Sequence, residues 1–542
     1  MSSTLIRGGL VVDGTGRAAF PADVLVEGDR IADVIDRSGM AALPRGLAST
    51  EIDATGCLVT PGFIDAHAHS DAYLLIEPDA PSKLSQGITT EINGQCGGSV
   101  APRYGAARLS SDWASMTYPG GDGKPGPTWR SMAEYRALLE QVRPAINTVQ
   151  FVGHNTLRSS VIGYDPVRAT SETLRAMEDL LARELDDGGW GLTTGLIYQP
   201  GKYSDSAEVT ALARVAAARG GFYATHMRSE GDAIDEAIDE VLDLVRATGI
   251  RAEISHLKTS GKRNWGKIDG VLEKIQRAVD AGDLLGSDRY PYCAAGTDLD
   301  VVFPDWAGEG GVTAEIARLA DSATRARLAA EIDAQDRDWS TVMIGGTWSD
   351  TTRTCSGKRI NELIAAGAGR PPYRTPGELV CAILAADACG TGAFFFGMSE
   401  ENLQKILERP WIVPGSDASL RAPWGPLGKD HPHPRAYGTM PRFYRLLTGR
   451  VEGHACICSR EEAVRRMTSV PAARFGIRDR GVVRAGTYAD LAVWREESFR
   501  ETSTYIAPHA FASGVEAVLV NGAVAYRSGV FTQNRAGTFL ER

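Results

Sequence analysis

The chain has 542 residues, a formal net charge of −10, 43% hydrophobic residues and 23% charged residues. That composition is ordinary for a soluble globular protein and does not by itself separate an enzyme from a scaffold. The negative balance, with no Lys/Arg-rich run to offset it, argues against a nucleic-acid partner.

The length exceeds one ordinary core, which points to one large and one small domain. Met1 to Gly9 lacks the basic-then-apolar pattern of a signal peptide, and the longest greasy stretch, 379–386, is far short of a membrane span. The eight cysteines are mostly isolated in the sequence and read as reduced thiols, so the expected location is the cytoplasm, with no membrane partner. Cys456 and Cys458 form only C-x-C and have no second pair nearby, so they read as ordinary thiols rather than a structural zinc site.

In chain order, residues 4–35 alternate apolar and polar side chains around Gly8-Gly9, Asp13-Gly14 and Glu27-Gly28-Asp29, the pattern of short antiparallel strands. Eight β-rich segments follow at 58–64, 89–93, 148–153, 191–197, 221–226, 251–256, 284–290 and 411–416. Helical spacing at 171–186, 232–248 and 399–407 separates several of them. Strands alternating with crossover helices predict an α/β fold, a (β/α)8 TIM-type barrel over 58–479. Residues at about 300–395 read as a mostly helical insertion between the seventh and eighth strands, placed to cover the barrel mouth. The end of the chain returns to short strands at 489–494, 515–520 and 523–526, with Asn521-Gly522 as a hairpin turn. Neither terminal segment buries a core alone, so 1–57 and 480–542 are expected to pair into a small discontinuous β-sandwich domain.

The residues suited to metal binding fall at strand ends. His67 and His69 follow the first strand, and their i, i+2 spacing puts both imidazoles on one face. His226 closes the fifth strand, His256 the sixth, and Asp417 follows the eighth. Barrel active sites form at the C-terminal strand ends, so these residues can converge. Cys96 closes the second strand among glycines; with the histidines around it, thiolate ligation outweighs its default role as a small buried hydrophobe. Arg228 and Lys258 lie two residues beyond His226 and His256, so strand parity turns both cations toward the same mouth, where they can hold a carboxylate. Asp417 is the candidate general base and later acid, with a plain ligand role as its alternative. Asp65 shares parity with His67; His154 is left without a role, His431 and His433 read as loop residues, and Tyr290 reads as a core aromatic.

These motifs together resemble the amidohydrolase superfamily, and within it the N-acyl-D-amino-acid deacylases (D-aminoacylases), nearly end to end. The resemblance rests on Pro61-Gly62-Phe63-Ile64-Asp65-Ala66-His67-Ala68-His69, the Cys96 segment, Gly153-His154-Asn155-Thr156-Leu157-Arg158, Thr194-Gly195-Leu196-Ile197-Tyr198, Ser255-His256-Leu257-Lys258, Tyr290-Pro291-Tyr292, Gly415-Ser416-Asp417 and His433-Pro434-Arg435-Ala436-Tyr437-Gly438-Thr439. It implies a tightly held Zn2+ on Cys96, His226 and His256, and a second, weaker position shaped by His67, His69 and Asp417. It also implies that Lys258, Tyr292 and Arg435 hold the α-carboxylate of a small N-acyl amino acid, and it alone implies the D configuration.

The implied reaction is hydrolysis of a linear amide to a carboxylate and a D-amino acid. Zinc lowers the pKa of water to about 7 and polarises the carbonyl, while Asp417 handles the proton. Two alternatives stand beside it. A cyclic-amide hydrolase of the hydantoinase or dihydroorotase type commonly carries a carbamylated lysine on strand four, and 190–198 contains none. A non-catalytic scaffold on the same barrel typically lacks the metal residues that are intact here. Side-chain preference and oligomeric state are left open by the sequence.

Overall fold

The computed structural model describes residues 3–39, 46–109, 128–369 and 372–542. Its first strands are β1 (Ser3–Val11), β2 (Phe20–Glu27), β3 (Arg30–Asp36), β4 (Thr50–Asp53) and β5 (Leu58–Pro61). Strands β2 and β3 join through a two-residue turn in which Gly28 takes φ +60°, a conformation open to glycine at little cost.

The expected first barrel strand is split. β5 pairs with β1 in the terminal sheet, whereas β6 (Phe63–Asp65) pairs with the barrel strand β7 (Ile88–Asn93). The break falls at Gly62, where an added Cβ would run into Thr89 and the amide turns to Asp490 O at 2.8 Å. The terminal sheet therefore reaches Pro61 rather than stopping at residue 57.

The barrel continues through β8 (Asn147–Gln150), extended by β9 (Val152–Gly153), then β10 (Gly191–Gly195), β11 (Phe222–His226), β12 (Arg251–Ile254) and β13 (Leu285–Arg289). All their pairings are parallel. The helix Ser171–Asp186 starts at Thr170, whose side chain accepts the Thr173 amide, and buries Met177, Leu180, Leu181 and Leu185 at helical spacing. The helix Ile234–Thr248 buries Ile238, Val241, Leu242 and Val245 in the same way and ends at Gly249 with φ +66°.

The insertion is helical but not only helical. β14 (Ala295–Asp298), β15 (Val342–Ile344) and β16 (Gly392–Phe395) form an antiparallel sheet in the order β14-β16-β15 beside the helices Val312–Ala320, Ser322–Asp333 and Pro376–Ala386. Leu299, Leu328, Ile344, Val380 and Leu384 give it a core of its own. Strands of three or four residues carry too little alternation to be read locally, and Ala295–Asp298 has no large apolar residue at all.

β17 (Ile412–Pro414) pairs with β13, and Ala66 N donates to Pro414 O at 3.1 Å, closing the barrel beside a parallel bridge between Ala68 and Ala418. The barrel floor is apolar. Phe475 from the helix Ser469–Phe475 packs its ring 4.6 Å from Phe222 and 6.3 Å from Phe151. The C-terminal strand ends are left to polar side chains. Finally β18 (Leu491–Trp494), β19 (Val515–Val520), β20 (Ala523–Arg527) and β21 (Val530–Phe531) complete a nine-stranded sheet with the N-terminal strands, through β18 against β5. Val24, Val59, Leu491, Val493 and Leu519 share one cluster within it. No helix among the described residues is long and apolar enough to cross a membrane.

Candidate metal centre

Six side chains from five strand ends meet at the mouth, in two groups that share Cys96. His67, His69, Cys96 and Asp417 form one group, and Cys96, His226 and His256 the other, with ligand atoms inside each group lying within 4.8 Å of one another. Nε2 of His67 is 3.3 Å from Nε2 of His69, 3.4 Å from Sγ of Cys96 and 3.4 Å from Oδ1 of Asp417. Sγ of Cys96 is 3.3 Å from Nε2 of His256.

Three of these residues have left-handed backbones: Cys96 (φ +52°), His256 (φ +37°) and Asp417 (φ +49°). Such conformations cost about 1–3 kcal/mol each and persist where surrounding structure enforces them. Two glycines do part of that. A Cβ at Gly97 would meet Asn155 and the Gly195 backbone, and one at Gly415 would meet Asp288 and His67. The donor set fits a cation. Neither buried ring nitrogen of His226 makes a hydrogen bond, and a thiolate among imidazoles suits zinc.

Further groups orient the donors. Oδ2 of Asp288 faces Nδ1 of His67 at 3.2 Å, and its Oδ1 accepts the His256 amide at 3.0 Å. Glu230 faces Nδ1 of His256 at 2.9 Å and is ion-paired to Lys258. Asp65 accepts the Ser416 amide at 2.7 Å and the buried Lys83 ammonium at 2.8 Å, fixing the turn that leads into Asp417.

The electrostatics follow from burial and pairing. Burial opposes the thiolate of Cys96, but His67 and His256 outweigh it and pull the pKa well below the usual thiol range. Burial likewise opposes charge on His69, yet Asp417 and Cys96 push it up to about 9. Asp417 is held well below the carboxylate range against burial, chiefly by Arg435, whose Nη1 lies 2.7 Å from Oδ2.

At the rim, Lys258 and Arg435 both face the ring of Tyr290, at 5.7 and 4.7 Å from its centroid. The parity argument for Lys258 does not describe how it gets there, because β12 ends at Ile254 and the chain turns at His256. Arg228 is a correction. β11 ends at His226, so alternation does not continue, and Arg228 turns outward to Glu240 on the helix Ile234–Thr248 at 3.1 and 2.9 Å. Tyr292 is another. Its hydroxyl sits against Gly438 and Glu501, with the ring under Arg442, while the residue read as a core aromatic, Tyr290, is the one both site cations face. His154 bonds Glu208 at 2.8 Å in a buried cluster with Arg158.

Asp288, Glu230 and Lys83 were missed by reading strand ends for metal-type residues. Asp288 is in fact a carboxylate at the end of the seventh strand and was findable by the same rule, whereas Glu230 and Lys83 lie outside strands and carry no local signal.

A parallel barrel with His, Cys and Asp donors gathered at its C-terminal strand ends defines the class: a metal-centred (β/α)8 hydrolase. The Amidohydrolase family profile matches residues 50–526. An N-acyl-D-glutamate deacylase of Alcaligenes xylosoxydans xylosoxydans is 36% identical over 538 residues, which cover 99% of this chain and 96% of that protein. The crystal structure of an N-acyl-D-glutamate deacylase from Bordetella bronchiseptica, complexed with zinc and a phosphonate mimic of the tetrahedral intermediate, superposes with a TM-score of 0.80, 31% identity and 99% of each chain covered. A D-aminoacylase structure, described as having a binuclear metal centre with one-metal activation and second-metal attenuation, superposes at 0.79 with 32% identity and 99% of each chain covered. The chain belongs to the amidohydrolase family, in its N-acyl-D-amino-acid deacylase branch.

Proposed function

We propose that this protein hydrolyses the amide bond of N-acyl-D-amino acids, with zinc held by Cys96, His226 and His256 and a weaker second cation beside His67, His69 and Asp417. The observation that carries the reading is the sharing of Cys96 between two donor groups, with two buried cations, Lys258 and Arg435, both facing the ring of Tyr290. Arg435 also lies 2.7 Å from Asp417, so an anionic group held by this cation sits beside the donors. When bound, zinc polarises an amide carbonyl and lowers the pKa of water to about 7. Asp417, ionised and within 3.0 Å of His69, takes the proton of the attacking water and returns it to the leaving nitrogen. Arg435 and Lys258 pair with the α-carboxylate, the guanidinium through two hydrogen bonds. The division into a discontinuous β domain and a catalytic barrel belongs to this reading, supported by their separate sheets.

The test is metal analysis of purified protein with kinetics on N-acetyl-D-amino acids, their L enantiomers and cyclic imides. Zinc content near one per chain and turnover of the D series support the reading. Turnover of cyclic imides alone overturns it, and absence of both metal and activity favours a scaffold.

A further inference from the structure

Arg435 opens the helix Arg435–Leu447, whose N-cap is Pro434 and offers no side-chain acceptor. His433 supplies one. Its Nδ1 accepts the Arg435 amide at 3.0 Å, so the ring proton is on Nε2, which faces Ala294 O at 3.0 Å and the Tyr505 hydroxyl at 3.2 Å. Burial and the neighbouring guanidinium both hold the His433 pKa well below the imidazole range. The residue is 5% exposed, and its ring is enclosed by Tyr292, Phe394 and Tyr505, with centroids 5.3, 5.2 and 4.9 Å away.

The same short stretch of chain holds Arg435 a second time. Nη2 of Arg435 donates to Gly296 O at 3.1 Å, two residues beyond the carbonyl that His433 grips. Residues 294–296 thus fix both ends of residue 435, the backbone through His433 and the guanidinium directly. Tyr505 ties this arrangement to a loop of the C-terminal segment, where Nε2 of His431 also meets Tyr505 O at 2.7 Å. A shift of the His433 ring would move the root of the arginine while Gly296 and Asp417 retain its tip, so the guanidinium would turn.

We propose that His433 is a positioning residue for substrate recognition: bridging Ala294, the Arg435 amide and Tyr505, it aims the Arg435 guanidinium at the substrate carboxylate. The inference rests on the deacylase reading above. It assigns work to a histidine that touches neither metal donors nor substrate.

The test compares His433→Ala, His433→Asn and Tyr505→Phe with wild type on the N-acetyl-D-amino acid it cleaves best and on the corresponding carboxamide, which lacks the anionic group. Asparagine keeps an acceptor near the Nδ1 position and loses the reach to Ala294. His433→Ala is expected to raise KM for the acid about tenfold with kcat within about threefold, since small misplacements of binding groups have large kinetic effects. His433→Asn and Tyr505→Phe should fall between it and wild type, and in all three the loss on the acid should exceed the loss on the carboxamide, which reports only the change at Asp417 that follows from moving Arg435. Should His433→Ala fail to fold, the other two variants carry the same comparison. An unchanged KM, an equal loss on the carboxamide, or loss of metal overturns the inference. A wild type that cleaves no N-acyl-D-amino acid removes the deacylase reading and this inference with it, whereas wild-type turnover with an unchanged KM in the variants removes this inference alone.

Discussion

One carboxylate serves both donor groups: Oδ2 of Asp288 lies 3.2 Å from Nδ1 of His67, while Oδ1 of the same side chain accepts the His256 amide at 3.0 Å. The first contact fixes the His67 tautomer and leaves Nε2 for the centre, and the second holds the backbone of His256 in its left-handed turn.

Asp288→Asn should therefore weaken metal affinity about 10–100-fold, the usual cost of losing an orienting partner. Cys96→Ser should lower metal content further, since Cys96 belongs to both groups. Titration with a chelator followed by metal analysis checks both, and full zinc content in the serine variant would reject ligation by Cys96.

Lys258 and Arg228 make a contrasting pair. Lys258→Met should raise KM roughly 30-fold, equivalent to about 2 kcal/mol for a hydrogen bond to a charged group. Arg228→Met should leave KM within about twofold, because its guanidinium is committed to Glu240 with a third of the side chain exposed, and such pairs contribute about 0–1 kcal/mol to stability. Steady-state kinetics on one N-acetyl-D-amino acid distinguish them, and equal KM effects would restore Arg228 to the site.

Burial and the adjacent Glu315 raise Asp300, in the insertion, from its ordinary 3.8 to about 8. An acid with a higher pKa folded than unfolded binds its proton more tightly in the native chain, so its stabilising effect is complete below 3.8 and is lost as pH rises toward about 8. Thermal melting should show stability declining across that window, with a shallower decline in Asp300→Asn. Parallel profiles for the two proteins would contradict it.

Phe475→Ala should destabilise by about 3–5 kcal/mol by opening a cavity in the barrel floor, without changing zinc content, because Phe475 packs on Phe222 and Phe151 at the end remote from the donors. Denaturant unfolding and metal analysis on one preparation report both quantities.

The eight barrel strands were legible because each is a run of apolar and β-branched residues bounded by turns, and the metal-type residues were legible because a parallel barrel presents its C-terminal strand ends together. That reasoning reached His67, His69, Cys96, His226, His256 and Asp417 from sequence alone, and the structure brings those six within two overlapping groups. It failed where the strand stopped. Alternation holds only while backbone dihedrals stay extended, so it misdirected Arg228 past the end of β11 and could not choose between Tyr290 and Tyr292 beyond β13.

The sequence by itself determined the barrel, the pairing of the two chain ends and the chemistry of the donors, because these depend on periodicity and residue type along short stretches. Only the tertiary structure decided that Cys96 is shared, that Asp288 and Glu230 orient the histidines, and that His433 grips the start of the Arg435 helix. Those relationships join side chains dozens to hundreds of residues apart or across a turn, and they depend on distances and directions of a few ångströms that no local pattern encodes.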